Sequence, residues 1–140
     1  MTDDRASIYV IWDPIFGGDF DGAAKRLSKS FPDKSVSYFK DPDSLAGTLW
    51  KSVLKLDNEI AWDVYFLYGA AAKWNQEPPQ PDFWMHQLYG VIKAPRFNES
   101  VFKAKLKEML NTIEEKSSTV SNRDIQTKDK KLKVEFLYQG

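Results

Sequence analysis

Residues 61–68, AWDVYFLY, set Val64, Tyr65, Phe66 and Leu67 in an unbroken apolar row that Gly69 then ends. A short run of this kind, aromatic and β-branched, suits a strand covered on both faces. Ile8-Tyr9-Val10-Ile11-Trp12 is apolar at odd and even positions alike and predicts a second such strand. Two further segments alternate instead. Ser35–Phe39 does so weakly, and in 131–138 Leu132, Val134, Phe136 and Tyr138 alternate with Lys131, Lys133 and Glu135. Alternation predicts strands with one wet face, at the edges of a sheet.

Helical spacing fills the gaps between these strands. Phe20, Ala23, Ala24, Leu27 and Phe31 recur at helical intervals before Pro32. Asp41-Pro42 supplies a cap and a first-turn proline for a helix whose apolar stripe is Leu45, Ala46, Leu49, Trp50, Val53 and Leu56. Gly47 inside that helix costs about 1 kcal/mol against alanine, so a close helix–sheet contact is expected there. Asn98 caps a third helix with the stripe Phe102, Leu106, Met109, Leu110 and Ile113. Residues 115–130 are polar and aperiodic and read as a mobile linker.

Strands alternating with helices imply βαβ units. The fold expected is one α/β domain over 1–140: a small three-layer (α/β/α), flavodoxin-like or Rossmann-like sheet of about four strands, mostly parallel, in spatial order 2-1-3-4. The doubly apolar strands belong at its centre. The strand 131–138 belongs at an edge, free to run antiparallel after its linker.

Composition limits the function. Lysine and arginine balance aspartate and glutamate at twenty each, and nine against thirteen in residues 1–90 becomes eleven against seven in 91–140. Without a basic excess, nucleic-acid binding is not expected. The absence of cysteine excludes disulfides, thiolate metal sites and a cysteine nucleophile. No stretch is long and apolar enough to span a bilayer, and the acidic start Met-Thr-Asp-Asp-Arg lacks a leader's apolar run, so a soluble, cytoplasmic chain is expected.

The costliest residues lie between Trp74 and Phe97, in WNQEPPQPDFWMHQLYGVIKAPRF. Irregular connections are normally polar. A long one this aromatic either folds onto the body of the protein or binds something. A short helical turn over Phe83 to Tyr89 is compatible with its spacing. Lys73, Trp74, Phe83, Trp84 and Tyr89 are the candidate contacts, for a protein partner or for a small aromatic or anionic ligand.

A catalytic alternative centres on the crevice beyond the carboxyl ends of strands 1 and 3, where ligands bind in open α/β sheets. Asp13 and Asp19 flank Gly17-Gly18 there and would act as acid/base groups or Mg²⁺ ligands toward a nucleotide-like or phosphorylated substrate, with His86 in support. His86 would need an orienting carboxylate, from Asp82 or Asp13. The simpler assignments are a helix cap for Asp19 and a packed structural ring for His86. The loop matches neither a P-loop nor a dinucleotide fingerprint, and no nucleophile motif accompanies it. No cofactor and no metal site is assigned. The leading expectation is a non-catalytic binding or protein-interaction module.

Overall fold

The computed structural model describes residues 5–13, 22, 25–26, 29, 35–57, 60–119 and 132–139. Five strands form one mixed sheet: β1 Ala6–Asp13, β2 Val36–Lys40, β3 Val64–Tyr68, β4 Phe83–His86 and β5 Leu132–Gln139. Their spatial order is β2-β1-β5-β3-β4. β1 pairs in parallel with β2 and β5, while β3 runs antiparallel to both β5 and β4. Among the described residues two helices have defined bounds, α1 Leu45–Leu54 and α2 Glu99–Thr119. Gly22, Lys25, Arg26 and Lys29 are also helical, within the first helix expected, and Phe20, Ala23, Ala24, Leu27 and Phe31 lie outside the described residues.

This corrects the fold expected from the sequence. The sheet is not a four-strand, mostly parallel, three-layer flavodoxin-like or Rossmann-like arrangement in order 2-1-3-4. The chain's last strand is not an edge: β5 inserts between β1 and β3, parallel to one and antiparallel to the other. The second edge is instead β4, inside the segment read as a loop. Of the mobile linker expected over 115–130, residues 115–119 belong instead to α2, which continues to Thr119, and residues 120–130 lie outside those described.

The physical reasons lie in particular side chains. Lys133 signalled a wet face, yet its ammonium lies 5.2 Å from the centre of the Trp74 ring, where an aromatic face accepts the charge. The lysine stem therefore tolerates a central strand's end. In β4, Phe83, Trp84, Met85 and His86 lack β-branching, but aromatics suit a pleated surface, and each residue finds a partner on β3 from Leu67 back to Val64. Asp82 fixes the entry: its backbone N–H donates to Leu67 O, and its carboxylate accepts from Gly69 N at 2.6 Å.

Strand β3 is buried at every position, as its composition demands. Val64, Phe66 and Tyr68 join Trp50, Leu54, Leu56, Ala61 and Leu88 in one core cluster, beneath α1. Tyr65 and Leu67 join Ala6, Met85, Leu132, Val134 and the α2 residues Phe102 and Leu110 in the other. Helix α2 is capped as its sequence predicts, with Asn98 Oδ1 accepting from Val101 N at 3.1 Å. Helix α1 is turned from its expected stripe: Gly47, Trp50 and Leu54 face the sheet, and Leu45 and Leu49 face outward. The glycine permits the closer seat. No helix among the described residues is long and apolar enough to cross a membrane.

Candidate functional site

The pairing register places Asp13, Phe83, Trp84 and His86 within the sheet. Phe39, Ile11, Leu137, Val64 and His86 form one row across the sheet. Asp13 lies two residues beyond Ile11, at the carboxyl end of β1, so β5 and β3 intervene between it and the His86 strand. Three strand spacings make about 14 Å, too far for one group to orient the other. Tyr68, Lys133 and Ser7 form the row at the opposite end. Lys73 and Trp74 follow that end. The strand 1/strand 3 crevice therefore does not form, because the two strands are neither adjacent nor parallel.

Asp13 is fully buried. Its Oδ1 accepts a 2.5 Å hydrogen bond from Ser44 Oγ, while Oδ2 has no hydrogen-bond partner. Ser44 needs that anchor, since it holds a left-handed φ of 53° at the start of α1. Beside it, Asp41 receives the first N–H groups of α1, from Leu45 at 3.0 Å and Ala46 at 2.6 Å. Burial pushes the Asp13 carboxyl above the ordinary carboxylate range; the Ser44 hydrogen bond opposes this and the Asp41 charge adds to it. Asp13 thus does the work of seating α1. Asp19 lies outside the described residues. Among the described residues, no three His, Cys, Asp or Glu side chains gather as a metal site.

His86 is also fully buried. Its Nε2 donates to Ala94 O at 3.0 Å, and Nδ1 has no partner. Asp82, at the far end of the same strand, is committed to Gly69. The backbone of His86 pairs with the returning chain, accepting from Phe97 N at 2.7 Å and donating to Pro95 O at 3.3 Å. His86 therefore closes the loop 87–96 at its base.

The ring candidates divide between three environments. Trp74, 37% exposed, stacks on Trp50 with centroids 5.7 Å apart and lies 5.2 Å from the Tyr68 ring. Lys133 also lies against it, so the ring covers part of the α1 cluster while staying partly exposed. Phe83 and Trp84 are half-buried and point to opposite faces, Phe83 toward Phe102 and Trp84 toward the α1 cluster and the His86 ring. Lys73 is exposed beside Trp74. Tyr89 is different: it is 75% exposed and lies at the His86 end.

The loop around Tyr89 is built rather than loose. Arg96 donates through Nη1 to Leu88 O at 3.1 Å and through Nη2 to Gln87 O at 3.3 Å. Its guanidinium carbon lies 5.6 Å from the Tyr89 ring centre. Gln87 is fixed twice, by its N–H to Asp63 O and by its side-chain amide to Tyr65 Oη, both at 2.9 Å. Lys93 Nζ donates to Lys55 O at the end of α1. Leu88 is buried in the core below, and Gly90 supplies the left-handed turn at φ 70°. The result holds Tyr89 and the 94% exposed Ile92 outward.

Sequence reasoning singled out Tyr89 but not Ile92, Lys93 or Arg96. One signal was present: between Asp82 and Glu99 the chain has two fixed cations and no carboxylate. Comparison with protein-family models, with curated proteins and with solved structures finds no match in any of the three.

Proposed function

We propose that this chain is a non-catalytic protein-interaction module that presents the loop 87–96, the later part of its aromatic and proline-rich segment, to a protein partner. One observation carries this: Tyr89 and Ile92 are held outward on a loop braced by Arg96, Lys93, Gln87 and His86. Isolated exposed apolar residues are common on any surface. Two of them within four positions, on a backbone fixed in advance, reduce the ordering cost of association. An aromatic anchor on a rigid support is also what interface hot spots favour.

Asp13 and His86 do not converge, so the geometry does not favour an acid/base pair of these two, and Asp19 lies outside the described residues. Small-ligand stacking is weakened likewise, since Trp74 already contacts Trp50, Tyr68 and Lys133.

The test is site-specific photocrosslinking in cells that express the chain naturally. A benzophenone side chain in place of Ile92 is expected to give one discrete protein adduct, lost when Tyr89→Ser is added. The same probe in place of the exposed Lys107 on α2 serves as control. An adduct pattern identical at the two positions, or one indifferent to Tyr89→Ser, would overturn the proposal.

A further inference from the structure

The loop 87–96 has a charge as well as a shape, and the inference drawn from that charge rests on the interaction reading above. Between Phe83 and Asn98 the sequence contains Lys93 and Arg96 and no aspartate or glutamate. Neither cation meets a carboxylate from elsewhere among the described residues. Lys93 donates to the Lys55 carbonyl, and Arg96 to the carbonyls of Gln87 and Leu88. Carbonyls satisfy hydrogen bonds without neutralising a charge, so both centres remain positive beside Tyr89 and Ile92. The loop meets the rest of the fold through backbone carbonyls, that of Lys55 at the end of α1 and that of Asp63, which accepts from Gln87 N.

The solvated face of α2 is arranged differently. There Lys103 pairs with Glu99, and Lys105 pairs with Glu108 at 2.8 Å. Across the molecule's end, Arg5 pairs with Glu114. Several cations elsewhere on the surface therefore have acidic partners. Lys93 and Arg96, beside the two most exposed apolar side chains of the loop, have none among the described residues.

We infer that the loop docks an acidic protein segment carrying an apolar anchor: a Leu, Ile or Phe flanked within one or two residues by aspartate or glutamate. The anchor lies against Tyr89 and Ile92. The flanking carboxylates meet Lys93, which has two further N–H donors, and the charge of Arg96. Complementary charge of this kind steers encounter and fixes register more than it adds affinity.

The experiment uses the full chain labelled with ¹⁵N and four synthetic probes. The first is a short peptide with Leu-Phe flanked on both sides by Asp and Glu. In the second, lysines replace the acids; in the third, serines replace Leu-Phe; the fourth is a single-stranded RNA of matching charge. Only the first is expected to shift the amides of 88–94 saturably. Its affinity is expected to fall several-fold as NaCl is raised from about 50 to about 500 mM. Lys93→Glu is expected to weaken it about tenfold or more, with the rest of the spectrum unchanged. If the lysine-flanked peptide or the RNA binds the loop as well as the acidic peptide does, the inference is overturned. So it is if the acidic peptide shifts no loop amide. Equal binding of the acidic and lysine-flanked peptides overturns this inference and leaves the interaction reading standing, whereas loss of the discrete Ile92 adduct removes the interaction reading itself.

Discussion

Gly47 in α1 lies directly against the carboxylate of Asp13 in β1. A Cβ placed on Gly47 would stand 3.1 Å from Asp13 Oδ2 and 3.1 Å from Ala61 O, and would overlap Ile60 Cγ2. The Gly47 carbonyl also accepts a hydrogen bond from Ala61 N at 3.1 Å. Helix α1 is therefore seated through the one residue that has no side chain. Gly47→Ala gains about 1 kcal/mol of helix propensity, but overpacking of a fixed contact costs about 1–3 kcal/mol. The expected outcome is a net loss of about 1 kcal/mol and a Tm lower by a few degrees in thermal unfolding. A Tm that rises would refute this account of the helix seat.

That glycine illustrates what the sequence disclosed and what it withheld. Its cost inside a helix announced a close approach, and Asn98 and the stripe from Phe102 to Ile113 announced α2 with its buried face. Val64 to Leu67 announced a doubly covered strand. Position in the sheet was another matter. Whether β1 and β3 are neighbours depends on what a strand more than sixty residues further along the chain does, and β5's alternating lysine suggested an edge. The Trp74 ring that accepts Lys133 is distant in sequence and gives no local sign of doing so. The candidate residues are parted for the same reason: β5 and β3 stand between Asp13 and His86, and the antiparallel run of β3 carries Lys73 and Trp74 to the opposite end of the sheet. Arg96 was invisible as a clamp because its partners are backbone carbonyls, which any sequence supplies.

The aromatic residues separate into core and surface, and substitution reads the division directly. Trp50 is 3% exposed and touches both Phe66 and Trp74, so Trp50→Ala is expected to cost about 3–5 kcal/mol. Trp74→Ala removes a partly exposed lid and is expected to cost about 1–2 kcal/mol. Tyr89→Ser should stay within about 0.5 kcal/mol of the parent. Urea unfolding of the three variants gives the ranking. A Tyr89→Ser loss comparable to that of Trp50→Ala would mean that the exposed ring is structural.

Asp13 gives a pH dependence of defined sign. Burial raises its folded-state pKa, so the folded chain holds this proton more tightly than the unfolded chain does. The stability associated with the protonated form is present below the ordinary carboxylate range and is lost as pH rises through the folded pKa. Asp13→Asn removes the titration while keeping an oxygen to accept from Ser44. Relative to the parent, the variant is expected to gain stability as pH rises from about 4 to about 7. Urea midpoints measured across that interval test it. A constant difference between the two proteins would show that the carboxyl titrates normally.

Arg96 tests whether the loop 87–96 is rigid because of one side chain. Its two terminal nitrogens reach the carbonyls of two successive residues while its plane lies near the Tyr89 ring. Lysine offers a single charged point and cannot span both acceptors. Arg96→Lys preserves the charge, removes the fork and leaves Leu88 buried, so global stability is expected to fall by no more than about 1 kcal/mol. Backbone order at Tyr89 to Ile92 should fall more visibly, from the range of rigid chain, S² about 0.85, toward that of a flexible loop, below about 0.6. NMR relaxation of the two proteins measures this. If order at Tyr89 and Ile92 is unchanged in the variant, the brace comes from Lys93 and His86 instead, and the exposed pair is held without the guanidinium.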